Sequence, residues 1–383
     1  MHLSDRALGN EVQLVRKLYD LSKAYDSVVD LTLGDPDIPT PPLIREAAER
    51  AMENNKTKYT ANAGIPELRE AISRDVAERT GIRYSADEIT VTAGAMGALY
   101  LTSCVLLNPG DEIIVLEPHW PNYSAMVRMC GAVPRFVSFL GEENLRNLAE
   151  NIRALVNGRT RAVIINSPSN PTGRVLPMKT LEEIAQIAEE ADLTVITDEV
   201  YRTIVFDGSF RSMLEIPGMK ERTVLIDSFS KRFSMTGFRV GFLCAPKEIA
   251  LNAARLEENV NSCACQFAQI ACTAALENAH ALEKEISDIF ERRCRAMARE
   301  LQKSRRIRME APQSTFYLFP DITATGLSSE EFAYRLLREK QIALVPGNAF
   351  NKAGEGYIRI ACTLPEEKLV SAVREIVEFA DRE

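Results

Sequence analysis

Residues 161–201 read RAVIINSPSNPTGRVLPMKTLEEIAQIAEEADLTVITDEVY, and this stretch decides the fold class. It opens on a β-branched apolar run, breaks at a turn rich in Ser, Pro and Asn, and resumes as TLEEIAQIAEEA. There apolar residues recur at three- and four-residue intervals, the period of an amphipathic helix. It closes on a second β-branched run, LTVITDEV. Strand, helix, strand is the unit of a largely parallel sheet covered by helices.

The same rhythm extends in both directions. EITVTAG (88–94), DEIIVLEP (111–118), TVLIDSFS (223–230) and RVGFLCAP (239–246) read as further strands. ALYLTSCVLL (98–107) and IPELREAISRDVAERTG (65–81) read as helices, the second stopping at Gly81. From about Ile249 the pattern changes to long helices, through LEENVNSCACQFAQIACTAALENA (256–279) and ALEKEISDIFERRCRAMARELQKS (281–304). Strand candidates STFYLFPDI (314–322), ALVPG (343–347) and GYIRIAC (356–362) follow, and PEEKLVSAVREIVEFADR (365–382) reads as a last helix. The expected organisation is α/β: residues 1–40 packing with a small α+β domain at 275–383, and a large domain at 41–274.

Composition narrows the function classes. The 383 residues are 46% hydrophobic and 26% charged, with a net charge of −8, so neither disorder nor an overall field attracting nucleic acid is expected. No apolar run approaches the 18 or more residues of a membrane span. The N-terminus lacks the apolar core of a signal peptide, and the expectation is a soluble, cytoplasmic chain. Eight cysteines, most inside apolar segments, and three scattered histidines do not form a metal-ligand pattern. Metal binding is therefore not expected.

The chemistry sits at strand ends, where ligands bind in open α/β sheets. Lys231 follows the apolar run TVLID, flanked by the hydroxyls of Ser228 and Ser230, with Arg239 eight residues on. Such a lysine suits a carbonyl cofactor carrying a phosphate: the amine forms a Schiff base while hydroxyls and guanidinium hold the phosphate. Taken alone it reads more readily as an ordinary loop lysine, because lysines in loops are common. Asp198 ends LTVITD, with Tyr201 three residues later; a carboxylate there can keep a pyridinium nitrogen protonated, or simply cap a helix. Asn170-Pro171-Thr172-Gly173 is turn chemistry by itself.

In their order and spacing, SPSNPTG, TDEVY and SFSKRFSMTGFRVGF resemble the class I/II aminotransferases, fold-type I enzymes that use pyridoxal 5′-phosphate. LTLGDPD, KYTANAGIPELREAI, TAGAMGAL and YIRIA extend the resemblance over nearly the whole chain. It implies a large domain built on a mostly parallel seven-stranded sheet. It also implies Lys231 as the lysine that carries the cofactor and moves the substrate proton, Asp198 as the partner of the ring nitrogen, and Asn170 and Tyr201 as donors to the ring oxygen. Ser228, Ser230, Arg239 and the backbone of Ala95 and Met96 match phosphate ligands, the last two at a helix N-terminus where the dipole favours an anion. Trp120 occupies the place of the aromatic stacked on the ring. Tyr59 matches a phosphate ligand donated by the other subunit of a homodimer with shared active sites. Gly34 matches the loop that closes over the substrate, and Arg359 the arginine that grips its α-carboxylate.

The implied activity is ping-pong transfer of an amino group from an L-amino acid to a 2-oxo acid, with 2-oxoglutarate as the acceptor by family analogy. A cysteine-conjugate-type β-lyase shares the constellation and is the alternative. A DNA-binding regulator on this fold needs an extra domain ahead of it, for which a fold expected to begin near residue 1 leaves no room. A nicotinamide dehydrogenase needs G-x-G-x-x-G, which TAGAMGAL does not supply. Met96 stands where some aspartate-preferring relatives carry lysine, and NSCAC (261–265), near the expected interface, has no cation. Neutral or aromatic donors are therefore expected over dicarboxylic ones, with Arg128 as the candidate partner of the acceptor's second carboxylate.

Overall fold

The computed structural model describes residues 2–9, 13–25, 27–206 and 210–383. Its central element is a seven-stranded sheet: β1 (Ile89–Thr92), β2 (Glu112–Glu117), β3 (Val133–Ser138), β4 (Thr160–Asn166), β5 (Thr194–Asp198), β6 (Thr223–Ser228) and β7 (Gly241–Cys244). The spatial order is β1-β7-β6-β5-β4-β2-β3, and β7 alone runs antiparallel to its neighbours.

Successive residues of the inner strands point to opposite faces, and both faces are covered. Ile113, Val115, Ile164 and Ile196 pack under the helices Gly94–Leu106, Asn122–Met129 and Lys247–Val260, whereas Ile114, Val163, Ile165 and Val195 pack under Met178–Glu190. This double burial is why these strands read as continuous apolar runs. β3 was not among the strands expected from sequence. It lies on the edge, alternates exposed and covered residues, and contains Pro134, which an edge strand tolerates.

The single long helix expected over 256–279 is instead two, Lys247–Val260 and Gln266–Glu277. Ser262 takes a left-handed φ of 67° in the break. The Gln269 side chain holds that break by donating to the carbonyl of Ala264 and accepting from the backbone of Ile65.

The second core gathers the helices Ala279–Leu301, Ser329–Lys340 and Glu366–Arg382 around three short antiparallel strands, Tyr317–Leu318, Val345–Pro346 and Ile358–Ala361. Val29–Asp30 pairs in parallel with Ile342–Ala343, so the chain reaches Gly34 already attached to this core. Val200, Tyr201 and Ile204, just past β5, belong to the same core and join it to the sheet. Among the described residues no helix is long and apolar enough to cross a membrane.

Candidate active site

A cavity of about 250 Å³ opens at the carboxyl ends of β4, β5 and β6. The sheet supplies Asn166, Asp198 and Ser228 to its wall; Tyr317 and Arg359 close it from the second core, and Thr32 to Gly34 from the N-terminal segment. Parallel strands bring their ends to one edge, which is how residues far apart in sequence meet here.

Asp198 is buried, with Oδ2 accepting a 2.7 Å bond from the Tyr123 hydroxyl and Oδ1 a 3.2 Å bond from the Val200 N–H. Burial pushes its carboxyl up to about 6 against these two bonds. Lys231 stands on a four-residue turn, Phe229–Arg232, capped by the Ser228 hydroxyl, and donates from Nζ to the carbonyl of Gly34 at 2.5 Å. Burial lowers the amine to about 8; Asp35 opposes this, while the charges of Arg239 and Arg359 add to it.

An anion cradle lies beside Lys231. The helix Gly94–Leu106 begins with Gly94, Ala95 and Met96, whose N–H groups have no partner within the helix. Gly94 has φ +72°, and a side chain there would meet the Arg239 guanidinium at 2.5 Å. A side chain on Gly241 would meet the Ala95 nitrogen at 2.4 Å. The two glycines thus let Arg239 and the helix N-terminus close on one small space, next to the bonded hydroxyls of Ser228 and Ser230 (3.0 Å).

Arg359 is 1% exposed, yet among the described residues it forms no ion pair with a carboxylate, and the charge of Asp30 acts on it only from farther away. Nη1 donates to Asn170 Oδ1 at 3.2 Å, Nη2 donates to the Thr32 carbonyl, and Nε has no partner. Its guanidinium lies 4.5 Å from the Tyr317 ring centre and 4.9 Å from that of Phe350. A buried cation without a counter-charge is costly, so this wall suits an anionic ligand. The loop above Lys231 comes close to Tyr317 because residue 34 is glycine, for a side chain there would fall 1.8 Å from the Tyr317 hydroxyl oxygen.

Of the residues singled out in the sequence, Gly34, Ala95, Met96, Trp120, Asn170 and Asp198 line the cavity, as do Tyr201, Ser228, Ser230, Lys231, Arg239 and Arg359. Tyr201 donates to the Tyr317 hydroxyl at 3.3 Å. Tyr59 lies outside the cavity and is 85% exposed, in a segment tied to the 261–266 region by bonds from Thr60 N to Cys263 Sγ and from Lys58 N to Gln266 Oε1. Arg128 does not line the cavity: it is exposed on the last turn of Asn122–Met129, because the inward face of that helix is taken by Tyr123, Met126 and Val127. Tyr123, Tyr317 and the Thr32 carbonyl were not anticipated. For Tyr123 a signal existed, three residues after Trp120 in EPHWPNY.

A pyridine ring bearing an aldehyde and a phosphate fits this donor set. The site offers an amine for the aldehyde, a buried carboxylate for the ring nitrogen, a cradle that glycine keeps open for the phosphate, and a separate unpaired guanidinium for a carboxylate.

Residues 26–376 match the family model described as aminotransferase class I and II. The chain is similar to an aspartate aminotransferase of Pyrococcus abyssi and to aromatic-amino-acid aminotransferase 2 of Thermococcus litoralis. Each is 37% identical, over 97% of this chain and 97% of the relative. It is also similar to the crystal structure of Thermus thermophilus aspartate aminotransferase with maleate, with a TM-score of 0.93, 33% identity and 99% of both chains covered.

Proposed function

The chain belongs to the class I and II aminotransferases, transaminases that use pyridoxal phosphate, and within that family we propose that it takes the amino group of neutral or aromatic L-amino acids and passes it to 2-oxoglutarate by a ping-pong route. The observation that carries the reading is the unpaired, buried Arg359 facing Lys231 and Asp198 across one cavity.

When bound, pyridoxal phosphate supplies a carbonyl that accepts the amino group and a ring that takes up the electron pair left when Cα–H breaks. The protein's residues do the rest. Arg359, with Asn170 beside it, holds the substrate α-carboxylate and fixes Cα relative to Lys231. Lys231, whose amine burial lowers to about 8 so that its neutral fraction grows as pH rises, takes the proton from Cα on Nζ in that neutral form and returns it in the same pocket. Asp198 keeps the ring nitrogen protonated, and the Tyr123 hydroxyl keeps Asp198 ionised. Asn170 would donate to the ring oxygen, as would Tyr201 once its hydroxyl turns from Tyr317, and Trp120 would cover the ring face. Ser228, Ser230, Arg239 and the N–H groups of Ala95 and Met96 hold the phosphate. Tyr59 reaches the partner's phosphate in a homodimer, a role its exposure supports. A cytoplasmic location belongs to the same proposal, with all eight cysteines present as free thiols.

The donor preference follows from charge. The cations lining the described cavity are Lys231, Arg239 and Arg359, each already engaged in this scheme, and the remaining wall includes Val15, Leu33, Met96, Leu99 and Trp120. A second carboxylate placed there gains no free cation, so a dicarboxylic donor has no ion pair to favour it over a neutral one, and the second carboxylate of 2-oxoglutarate would have to rely on neutral groups of the wall such as Asn122 and Thr236. The acceptor assignment rests on the family resemblance alone. The test is the half-reaction with a panel of amino acids, followed by loss of the cofactor absorbance. Phenylalanine, leucine and alanine are expected to match or exceed aspartate. If aspartate is faster by tenfold or more, about 1.4 kcal/mol in transition-state terms, the preference is wrong.

A further inference from the structure

Arg232, next to the proposed cofactor lysine, is fully buried and absent from the cavity lining. Its guanidinium bonds Asp75 in a fork, Nη2 to Oδ1 at 2.8 Å and Nη1 to Oδ2 at 3.0 Å. Nε donates to Glu283 at 2.9 Å, and Nη1 lies 3.5 Å from Asp227. Arg202 and Arg79 complete the cluster. Arg202 bonds Asp75 at 2.6 Å and pairs with Asp227 at 3.0 Å; Arg79 bonds Asp75 at 3.0 Å and Glu283 at 2.6 Å. Three guanidinium groups thus meet three carboxylates, and none of the six belongs to the reaction scheme above.

We propose that Arg232 is a positioning residue for Lys231: held by Asp75, Asp227 and Glu283, it locks the turn Phe229–Arg232 in the pose that aims Nζ into the cavity. Four residues are too few for a helical turn to hold itself. The Arg232 anchors come from separate elements: Asp75 from the helix Pro66–Thr80, Glu283 from Ala279–Leu301 and Asp227 from β6. The helix Ala279–Leu301 acts twice. Its Glu283 holds Arg232, and its Arg293 pairs at 2.6 Å with Asp37, in the segment whose Gly34 carbonyl accepts from Lys231 Nζ. One helix therefore fixes both the base of the lysine and the loop that meets its tip. Stability alone is a weak reason for such a cluster, because well-packed apolar residues in place of buried ion pairs are often neutral or stabilising.

The inference rests on the reading of Lys231 as the attachment residue, and the experiment separates the two. The full-length chain, freed of cofactor, is compared with Arg232→Lys, which keeps the charge but cannot make the fork, and with Glu283→Gln. Two quantities are read. One is the rate at which added pyridoxal phosphate becomes fixed to the chain by borohydride, which requires Nζ to add to the aldehyde with loss of water. The other is the affinity for pyridoxine 5′-phosphate, which has no aldehyde and reports the pocket alone. The expected result is a fall in attachment rate of tenfold or more in Arg232→Lys and threefold or more in Glu283→Gln, with pyridoxine 5′-phosphate affinity within twofold of wild type. An attachment rate within twofold of wild type in the folded Arg232→Lys chain overturns the proposal. So does an affinity for pyridoxine 5′-phosphate that falls as far as the rate, which marks a merely structural cluster. If Arg232→Lys does not fold, Glu283→Gln decides by the same split. A wild-type chain that binds pyridoxal phosphate but yields no borohydride-fixed product at Lys231 refutes the reading of the lysine itself.

Discussion

Removing one hydroxyl, with Tyr123→Phe, tests how the buried carboxylate of the site is kept charged. The phenol donates to Asp198 Oδ2 at 2.7 Å, with both residues buried, and burial holds the phenol itself protonated far above neutral pH, so it donates throughout the working range. Burial has already pushed Asp198 up to about 6, and this bond opposes it. A hydrogen bond to a charged group contributes about 1.5–3 kcal/mol. At about 1.4 kcal/mol per pKa unit, its loss raises the carboxyl by roughly 1–2 more. Between its unfolded value near 4 and its folded value, Asp198 binds more protons in the folded chain than in the unfolded one. Stability of the cofactor-free chain therefore falls as pH rises through that window and levels off above it. In Tyr123→Phe the window extends upward. The variant should lose about 1.5–3 kcal/mol more relative to wild type at pH 8.5 than at pH 5, read from urea unfolding of both cofactor-free chains at each pH. A difference constant to within about 0.5 kcal/mol across that range would refute the claim that the hydroxyl selects the charged form.

Three further outcomes are expected. Arg359→Met removes a buried charge that forms no ion pair with a carboxylate, so the cofactor-free chain should melt higher, while KM for the amino acid rises about 30-fold or more; a lower melting point would mean that Arg359 is paired within the protein. With Lys231 lowered to about 8, the neutral fraction grows as pH rises, and borohydride-fixable attachment of pyridoxal phosphate should run about fivefold faster at pH 8 than at pH 7; a flat rate would put its amine outside that range. Mixing Lys231→Ala with Tyr59→Ala subunits, once each is confirmed weak alone, should restore ~25% of wild-type activity if Tyr59 serves its partner, because half the dimers then carry one intact site of two; no recovery despite proven exchange would place Tyr59 outside a shared site.

The strands that were legible in the sequence are those buried on both faces. β4, β5 and β6 announce themselves as apolar runs because their apolar side chains are buried on both faces of the sheet. β3 does not, since Val133 and Arg135 are exposed, only Val137 is fully buried and Pro134 breaks the expected composition. The interruption at 261–265 was hidden for a different reason. NSCACQFAQ keeps an acceptable helical pattern, and the break is held from outside by Gln269 bonding across to Ile65 and Thr60. Asp198 and Lys231 were legible because strand ends in a parallel sheet are placed by topology alone. Arg128 was misplaced because which face of Asn122–Met129 turns inward depends on packing that spacing does not specify.

Arg232 marks where local reading stops. It sits one peptide bond from Lys231 in the most informative motif of the chain, yet its partners lie 157 residues upstream, at Asp75, and 51 downstream, at Glu283. Taken locally, SFSKRFSMTG offers two adjacent cations, and only the one whose chemistry suits a carbonyl attracts a role. What separates them is direction. Lys231 reaches the Gly34 carbonyl at the cavity, and Arg232 reaches carboxylates outside it. That opposition comes from the turn that Ser228 caps at the end of β6. A cation adjacent to a catalytic lysine would hold that lysine protonated less readily, which helps the base; one already matched by carboxylates exerts little of that effect. The lowered Lys231 amine is accordingly traced first to burial, then to Arg239 and Arg359, and not to its own neighbour. The cluster thus leaves the proton affinity of Lys231 to the cavity and acts on its position.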